Sequence, residues 1–189
     1  MKKLIPILLI FLCSCGQKSR LTDDFYEVVN NYFSDSLKNV DVVFLETTPI
    51  YQGPIMDSPP THLDLTNVNA YFELKLIDSI DVNYIYNQID SSSWLMDSNK
   101  LKVRSLSDER ISKIIELNDS SDIYDVLKTN YQLRNYARIS TPLYSRDGNT
   151  IILYLGVHRG KLSGQGLQLF FKRLDGKWTL IREIGTWKS

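Results

Sequence analysis

From about residue 136 to its end the chain carries apolar residues at a period of two, and this limits the fold more than any other feature. Thr150 to Val157 reads TIILYLGV, apolar on both faces as a central strand is. Leu167 to Leu174 is a second run and Lys177 to Ile184 a third. Asp175-Gly176 stands between them, a two-residue hairpin signal because both positions tolerate positive φ. Asp147-Gly148 marks another turn upstream, and Tyr136 to Ser140 is extended before Pro142. Strands joined by a turn this tight run antiparallel.

The first half follows a different period. Thr22 suits an N-cap, and Asp23 and Asp24 suit the positive end of a helix dipole. Phe25, Val28, Val29, Tyr32 and Phe33 then recur at helical spacing, a core-facing stripe unless it is left exposed for a partner. Val40 to Glu46 reads as a β-branched strand. Pro49, Gly53, Pro54, Pro59 and Pro60 break structure as far as residue 62, a long loop of the kind that often carries function. Phe72 to Ile77 fits strand or helix. Asp81 to Ile89 reads as a helix capped by Asp81, with Val82, Ile85, Tyr86 and Ile89 on one face. Leu101 to Ser105 is a candidate short strand. Ser107 and Ser121 are the expected caps of two further helices. The whole is an α+β chain, N-terminal helices packed on a C-terminal antiparallel β-meander, with residues 22–189 as one domain.

The chain opens MKKLIPILLIFLCSCGQK. Lys2 and Lys3 precede an apolar run of nine residues, Leu4 to Leu12. As a helix it would reach about 14 Å, against a hydrocarbon core of about 30 Å. It is too short to span a bilayer and fits an export signal. Leu12-Cys13-Ser14-Cys15 resembles the lipobox of bacterial lipoproteins. The resemblance implies a diacylglyceryl thioether on Cys15, removal of residues 1–14 as signal peptide, and residues 15–21 as a tether. An ordinary secretory signal with two incidental cysteines is the alternative. Gly16 is not the Asp of the familiar inner-membrane retention rule, so the resemblance points to the outer membrane of the cell envelope. Both cysteines lie in this region, so a mature chain from residue 15 has no pair for a disulfide and no free thiol for a metal or a nucleophile.

Charge totals zero yet is segregated. Residues 134–189 carry a net +7 and residues 15–133 a net −9. A basic sheet beside acidic helices explains this by mutual attraction; a basic face for an anionic ligand, lipid headgroup or envelope protein is the other reading. No global excess of cations calls for nucleic acid.

Chemistry has one candidate seat, the segment GVHRGKLSGQG from Gly156 to Gly166. A phosphate-cradling P-loop is excluded: the Gly156–Gly160 spacing is one residue short, and Leu162 follows Lys161 where Ser or Thr is needed. A nucleophile elbow needs G-x-S-x-G on a strand-to-helix turn, and Ser163, flanked by Leu162 and Gly164, fails both tests. A glycine-rich strand connection using positive φ is the structural reading. The functional reading is a ligand-binding loop formed by His158, Arg159, Lys161 and Ser163 and gripping an anion, or the centre of an envelope hydrolase. The other histidine, His62, lies in the proline loop as a weak metal-ligand candidate, and nothing in the spacing suggests a metal or cofactor. Trp94, Trp178 and Trp187 could stack sugars, though at strand spacing they also suit a core.

The C-terminal third resembles a group of small lipoproteins of Bacteroidetes-type bacteria. The residues that carry it are ISTPLYSRDG (Ile139 to Gly148), G-x-L-x-G-x-G (Gly160 to Gly166), GKW (Gly176 to Trp178) and TWKS (Thr186 to Ser189), with YIYNQI (Tyr84 to Ile89) as a further match. Cysteines often flank the loop leucine in that group, and Arg159 and Ser163 hold those places here. The resemblance implies a lipid-anchored envelope domain and brings no activity with it. The expectation is therefore a binding or scaffolding module, with an enzyme centred on the glycine-rich loop as the alternative.

Overall fold

The computed structural model describes residues 22–37, 40–48, 76–89, 94–118, 122–160 and 162–189. Residues 1–21 with Cys15, the proline-rich stretch with His62, Ser121 and Lys161 lie outside the described residues. Four helices and seven strands are described: α1 (Asp23–Asp35), β1 (Val42–Phe44), α2 (Ser79–Tyr86), β2 (Ser105–Leu106), α3 (Asp108–Asn118), α4 (Ile123–Tyr131), β3 (Tyr136–Ile139), β4 (Leu143–Tyr144), β5 (Thr150–Gly160), β6 (Ser163–Leu174) and β7 (Lys177–Lys188). They make an α+β fold around one sheet ordered β2-β1-β3-β5-β6-β7, with β4 also on β5.

The meander β5-β6-β7 is antiparallel throughout. Its turn at Asp175-Gly176 takes φ of 50° and 78°, as a two-residue hairpin turn requires. Gly148 likewise sits at φ 71° in its own turn. The first half adds something the period did not announce: β1 lies between β2 and β3 and is parallel to both. The sheet is thus mixed, with its parallel part built from residues distant in sequence.

Alternation of side chains across β5 and β6 gives two covered faces. On one, Ile151, Leu153, Leu155, Leu167, Leu169 and Phe171 bury against the α1 stripe of Phe25, Val28, Val29, Tyr32 and Phe33. Thr22 caps α1 by accepting from the Phe25 N–H at 3.3 Å. The other face has two separate patches. Ile152, Phe170 and Leu143 pack with Ile85 of α2 and with Leu76 and Ile77. Val42, Phe44, Leu106 and Tyr136 pack with α3 and α4 through Ile111, Val126 and Leu127.

Two helix starts differ from expectation. Asp78, not Asp81, precedes α2 at the N-cap. Asp81 instead sits in the first turn, where its carboxylate accepts the Arg146 N–H at 2.8 Å, a tertiary bond that local sequence does not encode. Tyr86, expected on the buried face, is exposed. Asp122 caps α4 by accepting from the Tyr124 N–H at 2.8 Å, one residue beyond the expected Ser121. Ser107 does precede α3 and accepts from the Arg110 N–H at 3.3 Å.

The two oppositely charged halves are stitched by ion pairs. Arg138 on β3 grips Asp108 at the start of α3 with two bonds of 2.8 and 2.5 Å. Arg173 on β6 meets Asp24 on α1, which also accepts from Trp178 Nε1.

Candidate functional site

The glycine-rich segment is not a loop. β5 runs through to Gly160 and β6 starts at Ser163, so the segment is two paired strands closed by a short turn. Gly156 pairs with Gly166 and His158 with Gly164, with a bulge between His158 and Gly160. Among the described glycines only Gly148 and Gly176 have positive φ. Freedom of φ therefore does not explain the glycines here.

Space does. Gly166 pairs with Trp187 on β7, and the indole lies across the backbone of Gly164 and Gly166. A Cβ on Gly166 would overlap both the Trp187 ring and the Tyr154 hydroxyl, and one on Gly164 would come within 2.8 Å of Trp187 Cη2. Trp187 Nε1 donates to the Tyr154 hydroxyl, and Thr186 Oγ1 lies 3.3 Å from the same oxygen. The G-x-G stretch and the C-terminal T-W pair, far apart in sequence, are thus one packed unit.

His158 extends this unit toward α4. Its imidazole stacks on Tyr136 (ring centroids 4.6 Å apart, 14° between planes) and tilts toward Trp187 at 5.6 Å. Tyr136 in turn meets Phe44 at 5.2 Å and Tyr124 at 5.5 Å. Burial raises both phenols, so neither ionises near neutrality. Burial, then the Arg138 charge, holds the His158 imidazole below its usual range, so it is neutral at pH 7. Arg138 is opposite Gly156 in the register and lies over the Phe44 ring at 4.1 Å. A Cβ on Gly156 would meet only His158 Nε2, at 3.5 Å. Gly156 is itself buried, between the His158 imidazole two residues along its own strand and the carboxylate-paired Arg138 guanidinium on β3.

Of the four expected loop residues, three are described. His158 is half-buried in the ring stack. Arg159 is exposed at the bulge, and Ser163 is exposed at the start of β6, opposite Gly160. Lys161 and Cys15 lie outside the described residues. Trp178 and Trp94 pack against the α1 cluster. Sequence reading missed Tyr136, Tyr154 and Arg138, which carry no motif and meet His158 and Trp187 only through strand register. Among the described residues no three His, Cys, Asp or Glu side chains gather as a metal site would need, and no helix is long and apolar enough to cross a membrane. A separate cavity of about 180 Å³ lies between the end of α1 and residues 102–103. Its Asn30 side chain is already committed to the Lys100 carbonyl and the Lys102 N–H.

Comparisons with protein-family models, with curated proteins and with solved structures return no match to this chain.

Proposed function

We propose that the chain is a lipid-anchored protein of the cell envelope, held at the outer membrane through Cys15, that acts as a binding or scaffolding module. Anchoring is supported by the two lysines, the nine-residue apolar run and the Leu12-Cys13-Ser14-Cys15 box. Two or more acyl chains at one sulfur would give stable attachment, since each buried CH₂ contributes about 0.8 kcal/mol.

Recognition is supported by how His158 is held. Its ring is clamped between Tyr136 and Trp187, it is neutral, and no carboxylate among the described residues is hydrogen-bonded to it. A general base is normally oriented by such a partner and keeps a pKa near the working pH. A neutral, half-buried imidazole held against aromatic rings suits contact with a planar polar group instead. That clamped ring is the observation that carries the binding reading.

The deciding experiment is mass spectrometry of the protein extracted from its own membranes. A chain starting at Cys15 with a thioether-linked diacylglyceryl group is the expected result. An unmodified amino terminus, or a retained leader, overturns the anchoring.

A further inference from the structure

We propose that the domain stands end-on against the bilayer, with the β6–β7 turn touching phospholipid headgroups and the β5–β6 turn held away from them. The proposal deepens the functional reading above and rests on the acylation of Cys15.

Where the tether joins the fold is the first observation. Thr22 bonds the Tyr144 hydroxyl at 3.0 Å, and Asp24 holds Arg173 and Trp178. Tyr144 pairs with Ile151 near the start of β5, and Trp178 pairs with Arg173 next to the Asp175-Gly176 turn. The chain therefore leaves the fold at the end of the sheet that carries this turn.

Reach is the second. Residues 15–21 span at most about 25 Å when fully extended. From Ile151 to Gly160 the strand covers about 30 Å at roughly 3.4 Å per residue. A lipid on Cys15 cannot set the domain on its β5–β6 turn.

The third is what the near end displays. Leu174, 46 % exposed, sits at the tip of the β6–β7 hairpin between Lys172 and Arg173 on one side and Lys177 on the other. Arg146 is exposed in the neighbouring turn, tied to this end by the Arg173 N–H to Asn149 carbonyl bond. Ile80, 62 % exposed, precedes Asp81, which binds the Arg146 N–H. Apolar tips flanked by cations seat at a membrane interface, with the charged ends at the phosphates. Asp24, Asp78, Asp81, Asp147 and Asp175 share this end, Asp24 being paired with Arg173, so the contact is an apolar tip and not a polybasic patch. Asp147 is held at a pKa of about 2 by Ser145 and Asn149 and stays charged there.

The far turn carries Leu162, 88 % exposed, which makes a matched control. The full chain is expressed with its own leader, as L174C and L162C variants, and the processed protein is reconstituted into phosphatidylethanolamine–phosphatidylglycerol vesicles containing nitroxide-labelled lipid. With Cys15 acylated, the new thiol is the single labelling site for a fluorophore. Quenching several-fold stronger at residue 174 than at residue 162 is the expected result. Equal quenching, or stronger quenching at residue 162, in protein whose Cys15 is shown by mass spectrometry to be acylated overturns the orientation alone. A free Cys15 thiol in the same samples overturns the anchoring, and the orientation with it.

Discussion

A glycine pair and a tryptophan decide the local structure of β6 and β7. Trp187 occupies the space that side chains at positions 164 and 166 would need. Gly166→Ala forces the ring or the Tyr154 hydroxyl to move, an overpacking cost of about 1–3 kcal/mol. A lowered urea midpoint measures it, and the effect shrinks in a Trp187→Ala background because the clash has gone. Gly156→Ala is the internal control, since its Cβ makes only an ordinary contact with His158. The same neighbourhood sets a proton equilibrium. Folding lowers the His158 pKa below its ordinary value of 6.5, so the unfolded chain takes the proton more readily. Stability linked to His158 is complete above about pH 6.5 and is lost as pH falls toward the folded value. A titration of the ring proton by NMR in the folded protein gives a midpoint below 6.5, and His158→Phe removes that part of the acid sensitivity.

Between elements, the two charged halves meet through a small number of bonds. Arg138 ties β3 to the first residue of α3 and covers Phe44. Arg138→Met keeps an apolar stem over the ring but leaves Asp108 without its partner, and costs about 1–3 kcal/mol; chemical denaturation of the single and double variants with Asp108→Asn measures it. This bond was invisible from the chain alone, because residues 108 and 138 carry no shared motif and meet only after β3 is in the sheet. What was legible follows period and local chemistry. The stripe of Phe25, Val28, Val29, Tyr32 and Phe33 makes α1, and the run at Thr150 to Val157 makes the central strand. What was not legible needed distant partners. Asp81 looked like a cap and serves Arg146 instead. β1 is three residues long, and its parallel neighbours lie 60 or more residues away in sequence. The candidate site failed to read for a related reason. Counting back from the Asp175-Gly176 turn places Gly166 opposite Gly185, and only two extra residues in β7 bring Trp187 there.

At the scale of the whole molecule those two extra residues protect the open side of the sheet. β7 is a 12-residue strand with a neighbour on one side only among the described residues. Such an edge invites pairing with another chain. Its sequence, KWTLIREIGTWK, reads nearly the same in both directions, which would offer a second copy Trp against Trp, Thr against Thr and Ile against Ile. A two-fold antiparallel pair, however, requires opposed side chains to share one face. The centre of the palindrome falls between Arg182, opposite Phe170 on the α2 side, and Glu183, which accepts from the Tyr32 hydroxyl on the α1 side. These two residues point to opposite faces and cannot meet across the axis. The bulges, where Ile181 and Thr186 are inserted, also bend the strand out of a flat edge. The protein in solution is therefore expected to sediment as a monomer. Deleting Ile181 and Thr186 together preserves the pairing of Arg182 with Phe170 and straightens the edge, and should shift sedimentation toward dimers and larger species. A monomeric double deletion that still unfolds cooperatively would show that the bulges are not what keeps the edge apart, leaving the opposed facing of Arg182 and Glu183 and the cations at positions 177, 182 and 188 to do so.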